Sequence, residues 1–158
     1  MPGSYVAYSR IAMEKTGSIL KELESVVSEH PTLISRILRV SENLVRHDLS
    51  GALGQLEGFR RAIRRHADIE EDLFLPVYRD LDNIPRTGRA EFFVDEHRRI
   101  DSTLDSLVIE LQGLSSETAT DAGIVSLVEQ LGRFRNLIDH HFRREEMTLY
   151  PRLREALE

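Results

Sequence analysis

The segment HADIEE, His66 to Glu71, returns 75 positions later as HFRREE, His141 to Glu146. Each copy continues through a leucine and an aromatic residue to a proline ten residues past its histidine, at Pro76 and Pro151. On an α-helix, residues i and i+4 lie one above the other on the same face. His66 with Glu70, and His141 with Glu145, therefore each set an imidazole beside a carboxylate, a pair that can grip one metal ion. A chain with two such pairs must bring two helices together across a polar layer or leave both pairs in solvent.

The apolar pattern decides between these. Apolar or metal-binding side chains fall at 30, 33, 37, 40, 44; at 56, 59, 63, 66, 70, 73, 77; at 93, 97, 100, 104, 107, 111, 114; and at 124, 127, 131, 134, 138, 141, 145, with Thr148 at the next step of that row. Alternating steps of three and four mark helices packed nearly parallel in a bundle. The histidines and glutamates occupy the apolar rows, so they face inward. No segment alternates with period two, and no strand is expected. Turn-forming residues separate the rows at Asp48–Gly51, Asp82–Gly88 and Gly113–Asp121. Thr87 or Gly88 is the expected cap of the third helix, and Thr120 or Asp121 that of the fourth. The expected fold is all-α: an up-down-up-down antiparallel four-helix bundle over residues 27–158, preceded by an N-terminal helical extension over residues 1–26.

Chain geometry tests that expectation. If short turns join antiparallel helices, residues at one height lie symmetrically about each turn. His30 and Glu70 centre on Ser50–Gly51. The pairs His66/Glu70 and His97/Asp101 centre on Asn83–Ile84, and His97/Asp101 with His141/Glu145 centre on Asp121. Every helix thus delivers a histidine or carboxylate to one level, given a rise of about 1.5 Å per residue. Burying several unpaired carboxylates at one level costs several kcal/mol each, and a bound cation or two removes that cost.

Composition narrows the chemistry. The chain has no cysteine, which excludes disulfides, thiolate zinc sites, cysteine-held iron–sulfur clusters and thiol nucleophiles. Its net charge of −6 disfavours nucleic acid as a partner. No apolar run approaches the roughly 18 residues that span a membrane, and the N-terminus lacks the pattern of a secretory signal, so a cytoplasmic location is expected. The candidate metal ligands are His30, His66, Glu70, His97, Asp101, His141 and Glu145. Such a mixed nitrogen and oxygen set suits iron, manganese or zinc rather than calcium or magnesium. It exceeds the needs of one tetrahedral ion and fits two ions bridged by Glu70 and Glu145. Asp101 is offset by one position from the Ile100 row.

The order His30, His66-x-x-x-Glu70, His97, His141-x-x-x-Glu145 resembles the hemerythrin family in its HHE cation-binding branch, as do the phrases SEHPTLISRIL, DEHRRIDSTLDSL, EEDLFLP and EEMTLYP. The resemblance covers about residues 27–155. It implies a centre of two non-haem iron ions with an oxo- or hydroxo-bridge, acting on dioxygen, hydrogen peroxide or nitric oxide. Oxygen carriers of the family place a fifth histidine where this chain has Asp101, and a carboxylate at the position of Glu146. The more anionic set here favours ferric iron, and so redox or catalase-like peroxide chemistry over carriage. A bundle that senses iron or oxygen and binds a partner without turnover is the competing expectation, in a monomer or a homodimer. A ferritin-like oxidase needs Glu-x-x-His on two helices; Ile63, Val94 and Ile138 stand where those glutamates would be.

Other residues read more simply. Glu71 and Glu146 are expected in solvent or behind the ligands, and His47 at a turn. His140 is expected at the surface or behind the ligands, Tyr78 and Tyr150 near the site or simply in the core, and Arg60, Arg61, Arg64 and Arg65 on a solvated face.

Overall fold

The computed structural model describes the backbone of residues 3–82, 84–115 and 118–158, with their side chains apart from residues 3–14 and 87. Asn83, expected in the second turn, and residues 116–117 of the third lie outside it. Four long helices dominate: α1 (Gly3–Val45), α2 (Leu49–Ile69), α4 (Ala90–Gln112) and α5 (Asp121–Arg144). Short helices α3 (Leu75–Arg79) and α6 (Tyr150–Leu157) continue α2 and α5. No strand occurs among the described residues. Helix α1 packs on α2 and α5, and α4 on the same two, which closes the ring of four.

Helix α1 is continuous for 43 residues, so the expected division between residues 26 and 27 falls inside it. Within it Ile19, Leu23 and Val26 are buried in one cluster with Phe74, Tyr78, Phe93 and Leu153. The first turn is at residues 46–48, a few residues earlier than expected, and Ser50 and Gly51 open α2 instead. His47 takes the turn with a left-handed backbone, φ 57°. Asp48 then caps α2, its carboxylate accepting from the Gly51 N–H at 2.9 Å. A Cβ at Gly51 would sit 2.1 Å from Asp48 Oδ2, so the glycine is what lets the cap close. Asp48→Ala is expected to cost about 1 kcal/mol, read as a lower urea midpoint with an unchanged slope. Thr120 caps α5 by accepting from Gly123 N–H at 3.1 Å. Helix α4 departs from expectation: it starts at Ala90 after Arg89, which makes no side-chain cap, while Arg86–Gly88 form a separate 3₁₀ turn.

Two apolar clusters fill the bundle. One contains Leu33, Phe59, Ile63, Ile100, Phe134 and Ile138. The other contains Val26, Phe74, Leu75, Phe93, Leu149 and Tyr150. His30, His66, His97 and His141 each fall in sequence between members of the two, so a polar layer separates the clusters.

At that layer both repeats leave α-helical geometry. Glu70–Phe74 and Glu145–Leu149 are single π-helical turns, closed by Leu75 N–H to Glu70 C=O and by Tyr150 N–H to Glu145 C=O. Such turns insert one extra residue and recur at functional sites. Pro76 and Pro151 bring no N–H to the α-helical ladder, which favours the looser turn. The insertion corrects two rows read from the sequence. Leu73 is exposed and Val77 only half-buried, while Phe74, Leu75 and Tyr78 are buried. Likewise Thr148 is half-buried, and Leu149, Tyr150 and Leu153 turn inward.

Candidate metal centre

Six of the seven residues marked in the sequence converge. Glu70, His66 and Glu145 are fully buried, and His141, His30 and His97 nearly so. Their ligand atoms form two overlapping sets, Glu70 with His97, His141 and Glu145, and His30 with His66 and Glu145.

The two carboxylates divide their oxygens between two imidazole pairs. Glu70 Oε2 lies 3.0 Å from His97 Nε2, while its Oε1 lies 3.9 Å from His66 Nε2. Glu145 Oε1 lies against His141 Nε2 and 3.9 Å from His97 Nε2. Its Oε2 lies 3.3 Å from His30 Nε2 and 3.7 Å from His66 Nε2. Ligands on one cation, with bonds of about 2.1 Å, stand about 3 Å apart when adjacent, and these spacings scatter around that value.

The outer imidazole nitrogens are held from behind. Glu146 Oε1 lies 2.7 Å from His30 Nδ1, Glu71 Oε1 2.8 Å from His97 Nδ1, and Glu96 Oε2 3.1 Å from His141 Nδ1. Each carboxylate is placed to accept from Nδ1–H and turns Nε2 toward the centre, an arrangement typical of metal-binding histidines. Burial works against the charge on Glu96, yet His141 and Arg144 keep its carboxyl below the usual range. Phe142 stacks flat on the His30 ring, with centroids 3.9 Å apart, and fixes its plane.

Without a cation the layer is poorly satisfied. His66 Nδ1 and Nε2, His141 Nε2 and Glu145 Oε1 are buried with no hydrogen bond. His141 and Glu145 touch through Nε2 and Oε1, but off the line a hydrogen bond requires. Burial opposes protonation of His97 and His141, but Glu145 (with Glu70 for His97) overrides it, raising them to about 10 and about 9. His30 is raised by Glu145 and Glu146 against the same penalty. Burial and then the charge of Glu145 push Glu70 up, whereas Glu145 is held well below its ordinary value by His141 despite burial. The metal-free layer thus uses protons where cations would serve, and the donor set fits one or two metal ions.

A family model described as the hemerythrin HHE cation-binding domain matches residues 21–153. The chain belongs to that family. No curated protein and no solved structure matches it. The buried histidine and glutamate layer, whose side chains could hold a metal ion, lies within the matched residues.

The seventh marked residue is not brought in. Asp101 is half-exposed and its carboxylate is taken by Arg64 Nε. Arg64 also holds Asp105 at 3.0 Å, and Arg65 holds Glu29 at 3.2 Å, so much of the basic run makes ion pairs on the bundle surface. His140 is exposed. His47 is exposed too, 3.4 Å from Asp121. Tyr78 is core, its hydroxyl donating to Gly88 C=O at 2.8 Å. Tyr150 is core as well, and its hydroxyl enters the polar layer, donating to Glu70 Oε1 at 2.6 Å. A cavity of about 320 Å³ between α2 and α4, lined by Arg64, Ala67, Glu71, His97 and Asp101, reaches the layer beside His97. Among the described residues no helix is long and apolar enough to cross a membrane.

Proposed function

We propose that this hemerythrin-family domain holds two iron ions and binds or reacts with a small ligand: dioxygen, hydrogen peroxide or nitric oxide. The observation that carries this reading is the division of the Glu70 and Glu145 oxygens between two imidazole pairs, His97 with His141 and His30 with His66. One cation would be held by each pair, with both carboxylates bridging. Iron is favoured over zinc because six donors with two bridges exceed tetrahedral need and leave room for a further ligand. Bound iron supplies electrons and an open position for a diatomic or peroxide. The protein's part is to hold the imidazoles in the Nε2-facing tautomer through Glu71, Glu96 and Glu146. It also keeps bulk water out with the two apolar clusters, and admits small molecules from the α2–α4 cavity beside His97. The short connections between successive helices support an up-down-up-down course.

Iron content and the charge-transfer absorption of a bridged ferric pair test the centre, followed by mixing with peroxide, dioxygen and nitric oxide. Two irons with rapid oxygen evolution from peroxide identify an enzyme. Two irons that respond without turnover identify a sensor or store. Zinc alone, or no metal, rejects the proposal. Asp101→Ala and His47→Ala are expected to keep full metal content, whereas Glu70→Ala loses it. Equal loss from all three would overturn the ligand assignment.

A further inference from the structure

Resting on the two-metal reading, we propose that Tyr150 is itself a ligand, binding the cation on the His30–His66 side through its phenol oxygen. Two carboxylate oxygens and an imidazole nitrogen converge on this one hydroxyl, which owns a single proton. Glu70 Oε1 is 2.6 Å away, Glu145 Oε2 3.1 Å and His30 Nε2 3.4 Å. One hydrogen cannot serve both carboxylate oxygens. The spacings do match neighbouring donors around one cation, about 3 Å apart for bonds near 2.1 Å. The side chain is 1% exposed and its ring packs edge-on against Phe74, with centroids 6.4 Å apart, so the oxygen is held where it is.

The backbone explains how a residue five positions after Glu145 reaches the same site. In an α-helix, a step of five turns about 140° away from the starting face. The π-turn closes with Tyr150 N–H on Glu145 C=O and stacks residue 150 over residue 145. The other repeat has the same turn, but Leu75 stands where Tyr150 does. The centre is therefore lopsided. The His30–His66 side has five donor atoms: two imidazoles, one oxygen from each glutamate and the phenol. The His97–His141 side has four and adjoins the α2–α4 cavity. On ligation the phenol O–H breaks, its electron pair stays on oxygen and is shared with the metal, and the proton leaves to buffer with those displaced from the imidazoles. An exogenous ligand is then directed to the His97–His141 side.

The test uses the full chain loaded with iron and oxidised to the ferric state, compared with Tyr150→Phe and Tyr78→Phe. Iron content is measured first, then visible absorption, then resonance Raman excited within the visible band. Expected are two irons per chain, a phenolate-to-iron band with phenolate ring vibrations in the wild type and in Tyr78→Phe, and loss of both signals in Tyr150→Phe. Two irons with no phenolate vibration in the wild type overturn Tyr150 ligation and leave the two-iron centre standing. No iron in the wild type overturns both. If Tyr150→Phe fails to fold, the wild-type and Tyr78→Phe spectra still decide.

Discussion

Replacing Glu145 with alanine is expected to abolish metal binding on both sides of the layer at once. Its two oxygens face different imidazole pairs, and among the described residues it alone belongs to both sets of mutually close ligand atoms, Glu70 approaching the second set at His66, 3.9 Å away. Removing even a carboxylate that only orients a metal-binding histidine costs about 10–100-fold in affinity. Loss of a shared ligand is expected to exceed about 100-fold. The metal-free protein suffers as well. Glu145 is the fully buried partner of His141, His30 and His97, and deleting one member of a buried ion pair costs roughly 3–5 kcal/mol. Glu146→Ala is the contrast. Its carboxylate is 46% exposed and touches only the outer nitrogen of His30, so the expected loss stays within about 10–100-fold. Competition against a chromogenic chelator gives the affinities, and urea unfolding of the metal-free variants gives the stabilities. A Glu145→Ala protein that keeps one cation at near wild-type affinity would show that the carboxylate is not shared.

The inward rows were legible as far as Glu70 and Glu145 because spacing in regular helices directly encodes which face is buried. They failed immediately afterwards, at Leu73 and Thr148, because a π-turn adds a residue that no apolar period announces. The recurrence of Pro76 and Pro151 ten residues past their histidines was the available signal, since a helix that loses its N–H at the same place twice is free to widen there twice. The approach of Tyr150 to Glu145 was hidden for the same reason. Counted along an ideal helix it points away from Glu145, and only the widened turn brings it over.

Asp101 shows the opposite case. It stands four residues after His97, just as Glu70 stands four after His66, yet the Ile100 row already marked it as off the buried face. Arg64 on α2 pairs with it at the bundle surface. The partners of the imidazoles lay beyond spacing arguments because they are crossed: Glu71 serves His97, Glu96 serves His141, and Glu146 serves His30. Each is next to a ligand in sequence but reaches a ligand on another helix, a relation fixed by the height at which helices meet.

Metal-free protein is expected to lose stability as pH rises from about 6.5 to about 10, and metal-loaded protein is not. His97 and His141 have an ordinary value of 6.5 and reach about 10 and about 9 in the fold, where Glu145 and, for His97, Glu70 stabilise the imidazolium against burial. In that range the folded state holds protons that the unfolded chain has released, so stability falls with pH. Their contribution is fully present below pH 6.5 and gone above the folded values. At about 1.4 kcal/mol per unit, the fall is on the order of several kcal/mol. Glu70, raised above 4.5 by burial and by Glu145, has the same sign at lower pH. Glu145 has the opposite sign: its folded value lies well below 4.5, so its contribution is present above that value and lost on acidification. The metal-free optimum is therefore expected between about pH 4.5 and pH 6.5. A cation displaces the imidazole protons, so the alkaline fall disappears and affinity rises with pH as proton competition ends. Urea titrations across this range, with and without metal, test the expectation, and proton release on binding is read from calorimetry in buffers of different ionisation enthalpy. Metal-free stability that stays level or climbs from pH 6.5 to pH 10 would mean that the imidazoles are neutral in the fold and that metal entry displaces no protons.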